Sequence, residues 1–564
     1  MEKQHFDAIV VGSGISGGWA AKELTERGLK TLVVERGQEM VHGKSYTVDF
    51  SNPWDFDHRS KVNEDLVATD YPIQKKCYVF SELSRNRFIN DRENPYIQVK
   101  PFDWIRGGGT GGRSQLWGRQ SYRWSDLDFE ANANDGNGVD WPIRYQDIAT
   151  WYDYVEEFAG ISGNRDGIPH LPDGNFQPAM EMNCVEQDLK RKIEKTFPGR
   201  NMIIGRAAHL TKPKPVHTEL GRGTCQYRNQ CYRGCTFGAY FSSLSATLPA
   251  AKKTGNLTIV NNSIVKEIIY DSKRGRATGV RIIDTQSRQE HVYSANIIFL
   301  CASALGSTQI MLNSVSEHFP RGIANSSGVL GQYLMDHTMM AGATGTVIGY
   351  DDQYYSGRRP NGIYVPRFRN LTNQRSDFVR GYGYQGGAFR ESWPRGGEEA
   401  GFGKALKEKL HNPGPWKFRL SGFGEMLPRR DNQVVLDPSK RDAWGLPQLR
   451  FDVSWGDNEH RMRLDMVKSA IEMLTAAGLK DVQGFIVDHP PGLAIHEMGT
   501  ARMGRDPKTS VLNGYNQCHD VPNLFVTDGA AMASSACQNP SLTYMALTAR
   551  AVDYAVKQIK ANRI

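Results

Sequence analysis

The stretch that most restricts the fold is Asp7-Ala8-Ile9-Val10-Val11-Gly12-Ser13-Gly14-Ile15-Ser16-Gly17. An apolar run leads directly into G-x-G-x-x-G. Helical periodicity follows from about Ser16 to Arg27, and a second apolar run, Thr31-Leu32-Val33-Val34, ends at Glu35. That order is a complete strand–helix–strand unit for a dinucleotide. Gly12 permits the tight turn, Gly14 lets the backbone approach a pyrophosphate, and Gly17 allows close helix–strand packing. The helix start offers free N–H groups and a positive dipole end to the phosphates. Glu35 is placed to accept hydrogen bonds from a ribose diol and would repel a 2′-phosphate. Glycine turns are common, but an ordinary one does not bring strand, helix, second strand and acid together in this order.

A chain of 564 residues exceeds one ordinary core, so two or more domains are expected. Hydrophobic residues make up 39% and charged residues 23%, which is a globular balance and not a disordered one. The net charge of +8 comes from Lys and Arg scattered among nearly as many acids, so a solvated surface accounts for it. No basic run with interleaved aromatics points to nucleic acid. No signal-peptide pattern and no bilayer-length apolar stretch is present, which predicts no membrane span and a cytoplasmic chain by default.

A second glycine run, Arg106-Gly107-Gly108-Gly109-Thr110-Gly111-Gly112-Arg113-Ser114-Gln115-Leu116-Trp117-Gly118, carries six glycines. So many glycines suit a backbone pressed against a flat or phosphorylated ligand. The polar, aromatic-rich residues between the two runs read as loops covering the nucleotide site. Helices are expected over about 145–160, 184–195, 460–477 and 541–559. Strands are expected at Asn256–Val260, Ile264–Tyr270, Ala277–Asp284 and Asn296–Ala302, the last leading into a turn and helix. From about Gly331 to Pro491 the pattern alternates like β-structure, with one helix, and is the candidate substrate region. Leu524-Phe525-Val526 is again a strand.

Taken together, Gly12–Gly17 with Glu35, Gly107–Trp117, Asn296–Ser307, Ser326–His337, His496-Glu497-Met498-Gly499-Thr500, and Thr527-Asp528-Gly529 through Asn539-Pro540 resemble the glucose–methanol–choline (GMC) oxidoreductase family of flavoproteins. The matching stretches run in family order over almost the whole chain. The resemblance implies an α/β fold with a Rossmann-type FAD-binding domain and a β-sheet substrate domain. The expected division is 1–50, 95–125, 240–330 and 495–564 for the first, and 126–239 with 331–494 for the second. It implies FAD rather than NAD, with Gly12, Gly14, Gly17, Glu35, Gly109, Ser114 and Asp528 lining its site. Some relatives attach the flavin through a His just before the Trp of the second glycine run. Leu116 stands there in this chain, so non-covalent FAD is expected.

Oxidising an alcohol by hydride transfer requires a base for the hydroxyl proton. Histidine suits that task because its pKa lies near neutrality. The resemblance places His496 as the base and Asn539 as the group that hydrogen-bonds the substrate oxygen. A structural core histidine is the plain alternative for His496, and a helix N-cap before Pro540 the plain alternative for Asn539. His489 and Glu497 are secondary, orienting candidates. Trp393, Trp416, Tyr382 and Tyr384 suit stacking on a pyranose or simply packing a sheet.

Cys225, Cys231 and Cys235 put three thiols within eleven residues. Paired CxxC spacing of a zinc site is absent, and three thiolates on a loop suit an iron–sulfur cluster. The segment is similar to that of the large subunits of bacterial FAD-dependent sugar dehydrogenases in this family, which implies a [3Fe–4S] cluster. It also implies a haem-protein electron acceptor and a small partner subunit whose own signal could carry the pair to the periplasm. Structural cysteines are the plain alternative. The remaining five cysteines are isolated. The function expected from the sequence is therefore oxidation of a sugar hydroxyl, at C1 of an aldose or C3 of a glycoside, with electrons leaving through the cluster. An oxidase using oxygen and a flavin-bound docking subunit without turnover are the competing expectations.

Overall fold

The computed structural model describes residues 5–46, 49–354, 362–372, 376–397 and 399–564. Its first sheet has seven strands. Leu257–Val260, Thr31–Val34, His5–Val11 and Glu290–Leu300 lie side by side and parallel, and Leu524–Val526 joins the end of Glu290–Leu300. Ser263–Asp271 and Arg276–Asp284 extend it as an antiparallel hairpin. Strands covered on both faces need apolar side chains in both directions. Ala8, Ile9, Val10 and Val11 accordingly all lie buried, Ile9 and Val11 in one core cluster and Ala8 and Val10 in another. The helix Ile15–Glu26 lies against the closing helix Ser541–Lys560, so the first and last segments of the chain share one layer.

The expected strand beginning at Asn296 starts earlier, at Glu290. Its first half is fixed by antiparallel pairing with Arg276–Asp284, and only its second half by the parallel core.

The second sheet has six strands in the order Lys480–Ile486, His337–Thr346, Trp416–Glu425, Tyr382–Arg390, Ile363–Val365 and Ile203–Ile204. One face is buried under the helix Asp457–Ala476 through Met462, Met466, Ala470, Met473 and Leu474. The helix Gly403–His411 is a second helix in a region expected to hold one; it buries none of its residues, so no core-facing pattern marks it. A three-stranded sheet, Gln433–Arg441, Pro447–Asp452 and Ile97–Gln98, completes the frame. Among the described residues no helix is long and apolar enough to cross a membrane.

Candidate active site

A cavity of about 410 Å³ runs from the first glycine turn to one face of the six-stranded sheet. Gly12, Ser13, Gly14 and Glu35 line one end, and His496, Asn539 and Gln385 line the other. Gly12 has φ +94°, and a Cβ there would lie 2.5 Å from the Cys301 carbonyl oxygen. A Cβ on Gly17 would lie 1.9 Å from the Gly12 oxygen, so the helix can approach the turn only without a side chain. Gly14 has no protein atom within 4 Å of a notional Cβ and opens onto the cavity. Glu35 accepts from the Ser13 and Gly37 amides at 3.1 and 2.8 Å and from the Ser13 hydroxyl. Its burial raises the carboxyl pKa, against those donors. Ser114 and Asp528 also line the cavity. The Asp528 carboxyl receives the Ser307 hydroxyl and the Ala530 amide, while burial pushes it up to about 6.

At the opposite end two imidazoles meet edge to face, with centroids 4.9 Å apart. His496 Nδ1 lies 2.8 Å from His337 Nδ1. His337 Nε2 lies 3.1 and 3.0 Å from the carbonyl oxygens of Ser535 and Ala536. The outer nitrogen of His496, Nε2, is 3.4 Å from Asn539 Nδ2. Gln385 Nε2 donates to Asn539 Oδ1 at 2.8 Å, which turns the Asn539 amide nitrogen toward His496. Asn539 is not a helix cap: the last helix starts at Ser541, its N-cap position is Pro540, and no side chain caps it.

The loop that delivers His496 is held by a buried carboxylate. Asp336 accepts the amides of Gly492, Ala494 and His496 at 2.7, 3.2 and 3.1 Å. Burial, with Glu497 as the next cause, raises the Asp336 carboxyl to about 7. Ile495 takes φ +63°, which a β-branched residue seldom adopts, so the residue before His496 is strained in place. Glu497 pairs with Arg113 at 2.7 Å from inside the core. His489 does not line the cavity; its ring nitrogens lie 2.8 and 3.1 Å from the carbonyls of Pro490 and Met339.

A nucleotide cradle at one end of a cavity and a histidine–amide pair at the other have counterparts among known proteins. Residues 6–339 match the family model for GMC oxidoreductases, and residues 428–548 match the model for the C-terminal part of the same family. The chain belongs to the GMC oxidoreductase family. It is 28% identical to 2-methyl-1,2-propanediol dehydrogenase of Mycolicibacterium austroafricanum, covering 97% of this chain and 94% of that protein. It is 26% identical to the fructose dehydrogenase large subunit of Gluconobacter japonicus, covering 98% of each. Pyridoxine 4-oxidase from Mesorbium loti shares its fold at a TM-score of 0.60 and 15% identity, over 98% of this chain and 99% of that one. The protein is a flavoprotein oxidoreductase.

In this GMC enzyme the cradle fits FAD. The open space over Gly14, the amides of the helix start and the Glu35 carboxylate are the features such a dinucleotide needs. Gly17 and Gly109 are not part of the cavity wall. Gly17 serves the turn, and a Cβ on Gly109 would meet Met40 Cγ at 2.9 Å, so both act by permitting close packing behind the cradle. Trp416, Tyr382 and Tyr384 are core residues. Their polar atoms are spent on Tyr350 and Gln353 carbonyls, on Asp465 and Ser469, and on the Met466 carbonyl. The Trp393 side chain lies outside the described part. Strand alternation explains the exchange: Tyr382 and Tyr384 face the helix, whereas Gln385, with Phe423 and Met339, faces the cavity. Neither Gln385 nor His337 was assigned a role from the sequence. His337 ends a stretch that carries the family resemblance, and its partner lies 159 residues away.

None of the three clustered cysteines forms a disulfide among the described residues. Cys231 Sγ lies 3.7 Å from His209 Nε2, and Cys225 and Cys235 pack with Met180 and Ala239. Among the described residues no group of three or more His, Cys, Asp or Glu side chains is arranged to hold a metal ion. Burial raises the Cys225 thiol to about 11, with the other two thiols adding to the rise. Arg222, buried beside them, spends its donors on the carbonyls of Gly238, Phe158 and Ala159, and burial lowers it to about 9.

The buried histidines set an acid limit. Burial lowers His337 from 6.5 to about 4. A depressed histidine contributes full stability above its unfolded pKa and loses it as pH falls through the folded one. His337 therefore penalises the folded state by about 3 kcal/mol once pH drops from 6.5 to 4. Asp336 and Asp528, both raised, act in the opposite sense, so the comparison needed is between variants. In urea unfolding, wild type is expected to lose about that much relative to His337→Asn across this window.

Proposed function

We propose that this enzyme oxidises a hydroxyl group of a sugar or glycoside, with His496 as the base. The observation that carries the reading is the pair His496 Nε2 and Asn539 Nδ2 on the wall of the cavity that holds the nucleotide cradle. A substrate hydroxyl seated there gives its proton to Nε2, while the Asn539 amide donates to the same oxygen as charge develops on it. Gln385 holds that amide in the donating orientation. Bound FAD supplies the hydride acceptor for the substrate C–H. The name of the fructose dehydrogenase relative supports a sugar, and the propanediol dehydrogenase relative supports an alcohol of smaller size.

For the electron exit we propose the cysteine loop, with Cys225, Cys231 and Cys235 as ligands of a [3Fe–4S] cluster and a haem protein as acceptor. Three soft thiols on one loop form a donor set of the kind such a cluster takes; burial raises the Cys225 and Cys235 thiols, so they would give up their protons on binding iron. Seating a cluster requires the loop to draw the thiols together. Beside the loop, a surface hollow of about 590 Å³ is lined by Trp54, Phe56, Tyr78, Phe80 and Tyr232. Trp54 and Tyr78 are 79% and 73% exposed, which suits a docking partner such as the small subunit or the acceptor.

The test begins with iron, acid-labile sulfide and flavin content of anaerobically purified protein, followed by anaerobic flavin bleaching with a panel of aldoses, glycosides and short diols. Flavin reduced by sugars, with about three irons per flavin, is expected. Peroxide formed without added acceptor, in iron-free protein that has lost no cluster, would instead favour an oxidase. Bleaching by short diols alone would remove the sugar assignment.

A further inference from the structure

The base reading leaves open why His496 presents a lone pair, and not an N–H, to the cavity. A neutral imidazole carries one proton on either nitrogen, and the partner of one nitrogen decides which. The chain of contacts behind His496 answers the question from its far end. Among the described residues His337 Nε2 faces two acceptors, the carbonyl oxygens of Ser535 and Ala536, so it must carry the proton. Burial keeps His337 neutral, and its Nδ1 is then an acceptor. That acceptor lies 2.8 Å from His496 Nδ1, a contact that needs one proton between the rings. Only His496 can supply it.

We propose that His337 is a positioning residue that fixes His496 as the Nδ1–H tautomer, leaving the Nε2 lone pair directed at the substrate hydroxyl. The proposal rests on His496 being the base. During turnover the substrate O–H bond breaks and the proton forms an N–H bond at Nε2. The His496 ring then carries the positive charge, and its Nδ1–H stays bonded to His337 Nδ1. The two peptide carbonyls on the His337 Nε2–H enrich that acceptor, so charge on His496 is met by a chain of oriented dipoles. The charged and titratable groups around the pair are Arg113, which opposes protonation of His496, Glu497 bonded to Arg113, and Asp336 on the His496 backbone. None of these three touches the Nδ1–Nδ1 contact, so tautomer choice falls to His337.

The decisive measurement is nitrogen NMR of the FAD-loaded enzyme labelled with ¹⁵N-histidine, with the His496 signals identified by their loss in His496→Gln. The expected result is a protonated Nδ1 and an unprotonated Nε2 on His496 at neutral pH. His337→Leu should lower kcat by about 10²-fold with KM little changed, since substrate contacts remain. His337→Asn, which keeps an acceptor for His496 Nδ1–H, should recover most of that loss. Should His337→Leu not fold, the wild-type spectrum and His337→Asn decide alone. A protonated Nε2 in the wild type, or wild-type kcat in His337→Leu, overturns the proposal. Full activity in His496→Gln would instead overturn the base assignment itself, a separate outcome.

Discussion

Replacing His496 by Gln is expected to lower turnover by about 10² to 10⁴-fold while the flavin stays bound. His496 lies at the far end of the cavity from Glu35 and Gly14, so the substitution removes the proton acceptor and leaves the cradle intact. Gln keeps a polar group within reach of His337, which limits the loss to chemistry and spares the fold. Burial holds the His496 pKa well below 6.5, with His337 and Arg113 adding to that direction. The ring is therefore an unprotonated base throughout the neutral range, and wild-type activity should not fall on the acid side until well below pH 6.5. Steady-state turnover with an artificial electron acceptor, beside the flavin absorbance of the same sample, checks the expectation. Near-normal turnover would move the base elsewhere.

The second large effect is on cofactor binding. The glycines of the first turn divide into two kinds. Gly12 and Gly17 are closed by protein atoms at 2.5 and 1.9 Å from a notional Cβ, so side chains there would damage the fold before any ligand question arises. Gly14 meets nothing within 4 Å, and its φ of −67° suits any residue. A methyl group at Gly14 therefore projects only into the cavity where the dinucleotide backbone must lie close. Gly14→Ala is expected to fold normally and bind FAD more weakly by about 1–3 kcal/mol, which is roughly 5- to 150-fold. Circular dichroism of the apoprotein and FAD titration by flavin fluorescence measure the two parts. A variant with native fold and unchanged FAD affinity would remove the nucleotide from this turn.

Local sequence determined the nucleotide unit. A strand covered on both faces, a glycine turn and a helix buried almost throughout are each specified within about thirty residues, and their physics is short-range. The same holds for the closing helix and for the hairpin Ser263–Asp284, whose partners are neighbours in the chain. The family resemblance pointed to His496 and Asn539, but not to how they are held.

Tertiary structure alone decided the rest. Gln385 comes to Asn539 across 154 residues, His337 to His496 across 159, and Asp336 to the His496 amide across 160. No periodicity links positions so far apart. Which face of a strand meets the cavity also depends on where the helix Asp457–Ala476 packs: it claims Tyr382 and Tyr384 for the core and leaves Gln385 to the site. The sequence by itself determined which chemistry the chain carries. In our proposal, which nitrogen of His496 meets the substrate follows from the strand His337–Thr346 meeting the loop that carries His496, because a tautomer is set by a hydrogen-bond partner, and partners are assigned only when distant segments meet.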